Sequence, residues 1–339
     1  MLSPPPLPLI DPFARAISYV RVSVTDRCDL RCVYCMDEKQ RFVARSEQLS
    51  IDELERLCLR FMALGTRVIR LTGGEPLVRP GIIDLVQRLG RHAGVGRLDE
   101  VTLTTNGTQL AHHAKALAAA GVRRVNVSVD SCDAEQFRRL TRGGDLQRVI
   151  EGIEAARQHG MVCKINTVAM RDVHGDDHLF EHVAWAHRQG MSVSLIETMP
   201  MGEIGVDRRD QYLSLVEVRQ RLEQRWTLTP LAMRTPGPAR YVRVEETGGI
   251  LGFITPLSNH FCDSCNRVRL TATGQLYMCL GQEDAADLRA VLRAHPGDDA
   301  PLDAAIREAI FRKPKGHDFT SALAAGQSAV PRPMSLTGG

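Results

Sequence analysis

The sequence predicts an α/β protein whose larger part is a series of parallel βα units. Three observations predict this class: short β-branched strands alternate with amphipathic helices, six such units follow one another, and glycine or polar residues come directly after the strands. After Pro200 the alternation ends and shorter, turn-linked strands follow. We therefore expect a partial (βα)6 TIM-like barrel with a C-terminal extension that contains a short antiparallel sheet. A doubly wound sheet, which also binds ligands at its strand ends, is the alternative.

The six units follow from the hydrophobic pattern and from the residues that begin and end helices. Strands are expected at 17–24, 68–71, 101–104, 124–129, 162–170 and 192–196. The first helix has the clearest signals, because Ser50 and Glu53 have the spacing of a capping box and Gly65 follows the last apolar residue. In the extension, strands at 239–244 and 250–254 flank a hairpin turn, and helices are expected near 285–292 and 302–312.

The composition argues against two classes of protein. Lysine and arginine exceed aspartate and glutamate by only 43 to 40, so the net charge of +3 does not indicate a surface that coats a polyanion. No apolar run approaches the roughly 20 residues that a membrane span requires. The proline-rich start at 1–10 lacks the charged-then-apolar order of a signal peptide. We expect a cytoplasmic protein that has no nucleic-acid or membrane partner.

Four regions are expected along the chain. A flexible N-terminal arm at 1–16 precedes the barrel at 17–235, a C-terminal second-cluster domain follows at 236–326, and a flexible tail at 327–339 ends in two glycines. Such a tail either frays or inserts into a nearby site.

Nine cysteines include two groups of three, which in a cytosolic chain favours metal binding over disulfides. The first group has the spacing C-x3-C-x2-C and consists of Cys28, Cys32 and Cys35. An iron–sulfur cube normally takes four cysteine ligands, so a trio leaves one iron open for a small molecule. A structural zinc loop is the alternative, although it needs a fourth ligand, and Asp26 and Asp29 are poor partners in a thiolate site. The three single cysteines are expected to be buried apolar residues: Cys58, Cys132 and Cys163.

A second group of three cysteines lies in the extension: Cys262, Cys265 and Cys279. By spacing alone, a zinc site of three cysteines and His260 is the alternative here. Arg267 and Arg269 alternate on an extended stretch just after Cys265, so both can face one side. Paired guanidinium groups beside an open-sided cluster indicate a phosphate-bearing ligand, and Arg21 on the first strand could add a third cation.

The first cysteine group, with Tyr34 before its third cysteine, and the segment Gly73-Gly74-Glu75-Pro76 after the second strand resemble the radical S-adenosylmethionine (SAM) enzymes. The resemblance implies that Cys28, Cys32 and Cys35 bind a 4Fe–4S cluster whose open iron is chelated by SAM. It also implies four SAM-binding residues: Tyr34, Gly74, Ser128 and Met199. Gly74 would let the backbone approach the cofactor closely, because glycine has no Cβ.

Within that superfamily the chain is similar to the GTP 3′,8-cyclase family from about Arg21 to its last residue. The matching segments are Thr25–Cys28, Thr104–Gly107, Asn126–Asp130, Phe261–Arg269 and the terminal Gly338-Gly339. The resemblance implies a radical SAM lyase that converts GTP to 3′,8-cyclo-7,8-dihydro-GTP, the first step of molybdenum cofactor biosynthesis. In that reaction a 5′-deoxyadenosyl radical abstracts the ribose 3′ hydrogen, and the sugar radical attacks guanine C8.

The same resemblance implies roles for particular residues. Cys262, Cys265 and Cys279 would bind a second 4Fe–4S cluster. The GTP-binding residues would be Arg21, Arg70, Thr104, Lys164, Arg267 and Arg269. The catalytic residues would be Arg21, Arg267, Arg269, Gly338 and Gly339. Two residues depart from the family pattern, Asp37 after the first cysteine group and Thr337 before the final glycines.

The implied partners are GTP, a cyclic pyranopterin monophosphate synthase that acts on the product, an electron donor such as flavodoxin or ferredoxin, and a second copy of the chain in a homodimer. Two other functions stay open from the sequence. One is a peptide-modifying radical SAM enzyme with an auxiliary cluster, although such enzymes usually have more than three cysteines in that region. The other is a non-catalytic zinc or iron–sulfur protein that binds RNA through Arg267 and Arg269.

Overall fold

The computed structural model of the chain describes residues 8–94, 96–171, 173–203, 205 and 207–338. Its strands are β1 (Tyr19–Ser23), β2 (Val68–Thr72), β3 (Glu100–Thr105), β4 (Arg124–Ser128), β5 (Val162–Ala169), β6 (Ser192–Glu197), β7 (Leu228–Pro230), β8 (Arg240–Val244), β9 (Gly249–Ile254), β10 (Arg267–Leu270), β11 (Gln275–Tyr277) and β12 (Ala285–Asp287). Its α-helices are α1 (Ile51–Ala63), α2 (Ile82–Gly90), α3 (Leu110–Ala119), α4 (Ala134–Leu140), α5 (Leu146–Gln158), α6 (Asp176–Arg188), α7 (Arg208–Gln211), α8 (Leu215–Leu222), α9 (Leu288–Ala294), α10 (Ala300–Phe311), α11 (Phe319–Ala324) and α12 (Met334–Thr337).

All of these strands belong to one sheet with the order β12-β11-β10-β1-β2-β3-β4-β5-β6-β9-β8-β7. The eight strands from β10 to β9 in this order run parallel, and the first six strands of the chain are neighbours in chain order. Within the described ranges the two edge strands, β12 and β7, do not pair with each other, so the sheet is open. The predicted α/β class and the partial TIM-like barrel are confirmed.

The extension contains the expected antiparallel pairs, and its strands continue both edges of the barrel sheet. On one side β10 pairs parallel with β1 and antiparallel with β11. On the other side β9 pairs parallel with β6 and antiparallel with β8. An open barrel leaves unpaired N–H and C=O groups on its edge strands, and the added strands satisfy them. One result is that β10 lies directly beside β1.

Apolar helix faces cover the outside of the sheet and form the main core. Helix α1 begins at the predicted capping box, which is confirmed. Ser50 Oγ accepts from Glu53 N at 3.1 Å, and the Glu53 carboxylate accepts from Ser50 N at 2.7 Å. Its buried Leu54, Leu57 and Phe61 recur at helical spacing. Each such side chain stabilises the fold by about 1.5–3 kcal/mol when it leaves water. The predicted helix near 285–292 begins three residues later, because 285–287 pair with β11 as β12.

The segment expected as a loose N-terminal arm is packed where the structure describes it. Residues 1–7 lie outside the described residues. Leu9 is buried, and the buried Arg15 guanidinium forms an ion pair with Asp11 at 2.6 Å. Arg15 also donates to the carbonyl oxygens of Cys262, Pro314 and Lys315, which lie more than 240 residues along the chain. The proline-rich composition suggested a loose arm because these long-range partners leave no local pattern in the sequence.

Among the described residues, none of the helices is both long and apolar enough to cross a membrane.

Candidate active site

The inside of the open barrel contains a polar lumen that is lined by residues of the parallel strands. Charged and amide side chains along it are Arg21, Arg70, Arg124, Asn126, Lys164, Asn166, Arg267 and Arg269. A TIM barrel normally fills its interior with branched apolar side chains. The polar lining therefore marks this space as a ligand site rather than a packed core.

The first cysteine loop follows β1 and lies against the loop after β2. Gly74 N donates to Thr25 O at 2.9 Å, and Glu75 N donates to Arg27 O at 2.8 Å. A Cβ on Gly74 would overlap the carbonyl oxygens of Arg27 and Asp26. The glycine is therefore required by the backbone of the cysteine loop itself. Its predicted contact with SAM stays a prediction.

The three cysteines of this loop are half-buried thiols in surroundings that suit a metal cluster. Burial raises the pKa of Cys28 to about 12 and that of Cys35 to about 11, and it raises the pKa of Cys32 well above its usual range. Cys28 Sγ accepts from Leu30 N at 3.4 Å and from Asn106 Nδ2 at 3.6 Å. Such thiols keep their protons in the absence of metal, whereas a bound cluster would displace them.

The sulfur atoms do not converge on one point. In the described residues, no three His, Cys, Asp or Glu side chains are grouped so that they could hold a single metal ion. A four-iron cube instead takes each thiolate on a different iron, so its ligands surround a larger object. The donor set of three thiols, with hydrogen-bond donors directed at Cys28, fits such a cluster.

Two carboxylates fix the cysteine loop to the barrel. The buried Glu75 carboxylate accepts from Leu77 N at 2.9 Å, Thr105 Oγ1 at 2.8 Å and Asn106 N at 2.6 Å. Burial raises the pKa of Glu75 to about 7, against the effect of these hydrogen bonds. Asp29 accepts from Asn106 Nδ2 at 2.7 Å. The sequence contained these residues in its motifs but gave no reason to assign them positioning roles.

Tyr34 is held by a carboxylate from the loop after β4. Its hydroxyl donates to Asp130 Oδ2 at 2.8 Å, and Asp130 Oδ1 accepts from Val168 N at 2.8 Å. Burial raises the pKa of Asp130 to about 6, although both hydrogen bonds lower it. Arg208 donates to Tyr34 O at 2.8 Å. Sequence analysis missed the roles of Asp130 and Arg208, because their partners are far away along the chain.

The other two predicted SAM-binding residues lie at strand ends near this group. Ser128 is the half-buried last residue of β4, and Met199 follows β6 and lines the lumen. Their contact with SAM stays a prediction.

Four buried arginines on three neighbouring strands form the most unusual feature of the lumen. In the register of the sheet, Arg269 lies opposite Arg21, and Arg21 lies opposite Arg70. The exposed fractions are 9% for Arg21, 8% for Arg70, 6% for Arg267 and 8% for Arg269. In the described residues the Nε atoms of all four lack a hydrogen-bond partner, and none of the four forms an ion pair with a carboxylate. We refer to these four residues as the arginine cluster.

Burial and repulsion between like charges both lower the pKa values of two members of this cluster, Arg21 and Arg269. Burial lowers the pKa of Arg21 well below its usual range, and the neighbouring arginines lower it further. Burial and then the charge of Arg267 lower the pKa of Arg269 to about 10. Uncompensated buried charges are costly, so this arrangement calls for an anion in the lumen.

The remaining predicted GTP-binding residues lie beside the arginine cluster. Lys164 Nζ donates to Tyr241 OH at 2.8 Å, and burial lowers the pKa of Lys164. Thr104 Oγ1 accepts from Arg70 Nη1 at 3.5 Å. Lys164 and the four arginines line one lumen, whereas Thr104 contacts it through Arg70.

The second cysteine group lies at the β10 edge of the same lumen. Burial raises the pKa of Cys265, but the charges of Arg267 and Lys313 outweigh this effect and bring the pKa to about 7. Burial raises the pKa of Cys262. His260, the fourth ligand of the alternative zinc site, is exposed. Three thiols beside the positive charges of Arg267 and Lys313 fit a second cluster in the same way as the first group.

The tail was expected to be flexible, but its described part, residues 327–338, packs against the site. The backbone N–H of Ser335 lies near Cys35 and lowers the pKa of that thiol, against the larger effect of burial. Gly338 has a φ of +72°, and a Cβ there would overlap the Thr72 side chain. Arg332 is buried and donates to Cys279 O at 3.3 Å, which ties the tail to the second cysteine group. Gly339 lies outside the described residues.

Comparisons with known proteins agree with this geometry. Two family models match the chain: the Radical SAM superfamily at residues 22–199 and Molybdenum Cofactor Synthesis C at residues 191–319. A GTP 3′,8-cyclase of Rhizobium leguminosarum bv. trifolii (strain WSM2304) is 59% identical over 98% of this chain and 94% of its own length. A GTP 3′,8-cyclase of Paracoccus denitrificans (strain Pd 1222) is 59% identical over 98% of this chain and 96% of its own length.

Among solved structures, Streptococcus suis SuiB bound to S-adenosylmethionine matches with a TM-score of 0.62 at 15% identity, over 94% of this chain and 77% of SuiB. At this identity the likeness concerns the fold. The near full-length relatives go further: the chain belongs to the GTP 3′,8-cyclase family of the radical SAM superfamily.

Proposed function

We propose that the chain catalyses the reaction for which its relatives are named, the conversion of GTP to 3′,8-cyclo-7,8-dihydro-GTP, as the first step of molybdenum cofactor biosynthesis. The observation that carries the proposal is the arginine cluster, which is buried, lacks carboxylate partners in the described residues and adjoins the second cysteine trio through Arg267 and Arg269. A triphosphate supplies the negative charge that this lumen lacks.

Cys28, Cys32 and Cys35 would hold a 4Fe–4S cluster and, on its open iron, SAM. Such a cluster supplies one electron, which cleaves SAM to methionine and a 5′-deoxyadenosyl radical. Tyr34 would lie along the adenosine, held in place by its hydrogen bond to Asp130. The loop at Gly74 would border the methionyl end of SAM, close to the cysteine loop that it contacts.

The arginine cluster and Lys164 would bind the triphosphate. Guanidinium groups donate two parallel hydrogen bonds to phosphate oxygens, and the unpartnered Nε atoms are free to take part. Lys164 would exchange its hydrogen bond with Tyr241 for one with the nucleotide. Binding GTP would therefore offset the free-energy cost of desolvating these cations.

Cys262, Cys265 and Cys279 would hold a second 4Fe–4S cluster, which would supply an open coordination position for the guanine. Fixing both ends of GTP in one lumen would orient the ribose for hydrogen abstraction, and such positioning can supply several kcal/mol of the barrier reduction. Gly338 and Gly339 would close the site from the tail, without side chains that could react with the radical.

A peptide-modifying reaction is supported less well. SuiB, also solved with its precursor peptide SuiA, shares the fold at a TM-score of 0.62. A peptide substrate, however, offers no reason for four buried arginines without carboxylate partners in the described ranges. An RNA-binding role would need these arginines on an accessible surface, whereas Arg267 and Arg269 are buried.

The remaining partners follow from the same proposal. The radical step needs a one-electron donor such as flavodoxin or ferredoxin, and the product is the substrate of a cyclic pyranopterin monophosphate synthase. We place the enzyme in the cytoplasm, as a homodimer.

The experiment that tests the proposal uses GTP deuterated at the ribose 3′ position. The anaerobically reconstituted enzyme is incubated with SAM, a reductant and the labelled GTP, and 5′-deoxyadenosine is analysed by mass spectrometry. We expect one deuterium in 5′-deoxyadenosine and a cyclised nucleotide. Unlabelled 5′-deoxyadenosine with unchanged GTP would contradict the proposal.

A further inference from the structure

One short segment contacts all three cysteines of the second group. Lys313 Nζ lies 3.8 Å from Cys265 Sγ, and Gly316 O lies 3.9 Å from Cys279 Sγ. Gly316 also borders Cys262, because a Cβ on this glycine would lie 3.7 Å from Cys262 Sγ. We call residues 313–317 the cluster cap. It comes from the loop after α10, and sequence analysis assigned it no role.

Lys313 is the only residue of the cluster cap that brings a buried charge to the thiols. It is 3% exposed, and its ammonium group donates to Arg267 O at 3.0 Å and to Met278 O at 2.5 Å. In the described residues it forms no ion pair with a carboxylate. Its other charged neighbours are the cations Arg15 and Arg269. A buried ammonium group among cations requires negative charge nearby, and the thiolates supply it.

The cluster cap is held in place from the N-terminal side. Arg15 donates to Pro314 O at 2.6 Å and to Lys315 O at 2.8 Å, and the same guanidinium group donates to Cys262 O at 2.7 Å. Its charge is balanced by Asp11. The cluster cap and the cysteine loop are thus tied to one side chain, which fixes the distance between Lys313 and the sulfur atoms.

We propose that Lys313 is a positioning residue of the second cluster, whose ammonium group stabilises the thiolate ligands and raises the reduction potential of the bound cluster. The proposal rests on the proposed function, in that Cys262, Cys265 and Cys279 bind a 4Fe–4S cluster. Positive charge near the cluster and hydrogen bonds to its sulfur atoms both make a cluster easier to reduce, because reduction adds negative charge. The cluster cap provides both at one edge.

A simpler role for Lys313 would be structural. Its two carbonyl acceptors lie on β10 and just after β11, so the side chain also ties these two strands together. A purely structural lysine would leave the potential of the cluster unchanged once the protein has folded. The reduction potential therefore distinguishes the two roles.

The test compares Lys313→Gln with Lys315→Gln in the full-length, anaerobically reconstituted enzyme. Lys315 is an exposed lysine of the same segment, so its substitution removes the same charge two residues away. Iron content is measured first, and a redox titration followed by electron paramagnetic resonance then gives the potential of each cluster. The signal of the second cluster is assigned as the one that Cys279→Ala removes.

We expect Lys313→Gln to shift the potential of the second cluster to a more negative value, while the first cluster and the Lys315→Gln enzyme stay at the parent potentials. Lys313→Arg keeps the charge, so its second cluster should have a potential close to that of the parent enzyme. An unchanged potential in Lys313→Gln with full iron content would overturn the proposal.

Loss of the second cluster is also informative. If Lys313→Gln loses it and Lys313→Arg keeps it, the charge requirement is supported; if both variants lose it while the first cluster remains, the charge is not the cause and the proposal is wrong. Failure of the proposed function looks different, because the parent enzyme itself would then lack a second cluster.

Discussion

The arginine cluster favours the binding of an anionic ligand but lowers the stability of the ligand-free protein. Four guanidinium groups are buried together, and in the described part of the chain none has a carboxylate partner. Replacing a buried, unpaired charge by an apolar side chain of similar size is commonly neutral or stabilising. The same replacement removes the groups that would bind the triphosphate. Stability and ligand binding should therefore respond in opposite directions.

We predict that Arg21→Met raises the free energy of unfolding of the enzyme by about 1–2 kcal/mol and abolishes the stabilisation that GTP gives. Urea unfolding with and without GTP measures both effects. Arg139→Met, at an exposed position of α4, is the matched control and should change neither. A destabilised Arg21→Met enzyme that still responds to GTP would contradict the role of the cluster.

Gly74 illustrates a second constraint at the residue scale, since a Cβ there would overlap backbone oxygens of the cysteine loop. We predict that Gly74→Ala displaces this loop and lowers the iron bound by the first cysteine group. Iron analysis and SAM cleavage measure the effect. Gly175→Ala is the control, because a Cβ at Gly175 meets no atom within 4 Å. Equal iron content in the two variants would show that the close contact does not matter.

At the scale of elements, the site depends on segments that join distant parts of the chain. Strand β10 pairs with β1 and brings Arg269 beside Arg21. The tail runs from Arg332, near the second cysteine group, to Ser335, near the first, and continues to Gly338 beside Thr72. It therefore contacts both cysteine groups across the lumen.

We predict that Gly338→Ala displaces the tail, because its Cβ would overlap Thr72. Cyclisation of GTP should fall at least tenfold, since the radical site is no longer closed, while the overall fold persists. Gly297→Ala is the matched control: its φ is also positive, at +82°, but a Cβ there meets no atom within 4 Å. Limited proteolysis of the C-terminus and product analysis check the prediction, and a fully active Gly338→Ala enzyme would refute it.

A row of histidines that contacts Asp130 and β5 predicts a dependence of stability on pH. His174 precedes α6, and His178 and His182 lie on it, with ring centroids 5.5 and 6.5 Å apart along the row. Burial lowers the pKa of His174 to about 4 and that of His182 to about 3. These rings stay neutral in the folded protein at a pH where the unfolded chain, with a pKa near 6.5, binds protons. The free energy of unfolding should therefore fall as the pH drops below 6.5 towards these lower values.

We predict that each such histidine costs about 2 kcal/mol of stability between pH 6.5 and pH 5. His182→Gln should remove that share of the pH dependence, because glutamine does not titrate. Urea unfolding at the two pH values measures it, with His112→Gln on the exposed side of α3 as control. A parent-like pH slope in His182→Gln would show that the neutral ring is not the cause.

For the whole molecule, the sequence predicted the features that local pattern or short motifs encode. The βα alternation, the capping box at Ser50 and the two cysteine trios are of this kind. The continuous sheet, the packing of Arg15 on the cluster cap, and the partners of Tyr34 and Lys313 were not predictable in this way. Each depends on contacts between segments far apart in the chain, which periodicity does not contain. The family resemblance named the arginines, and only the sheet register explains why they meet.

The central claim is that two cysteine trios hold two clusters on opposite sides of one lumen. Iron and sulfide content after anaerobic reconstitution tests it most directly, in the parent enzyme and in Cys28→Ala and Cys279→Ala. The account predicts about eight irons per chain in the parent and about four in each variant. Cys28→Ala should lose SAM cleavage, and Cys279→Ala should keep SAM cleavage but lose cyclisation of GTP. About four irons in the parent, or zinc at Cys262, Cys265 and Cys279, would contradict the account.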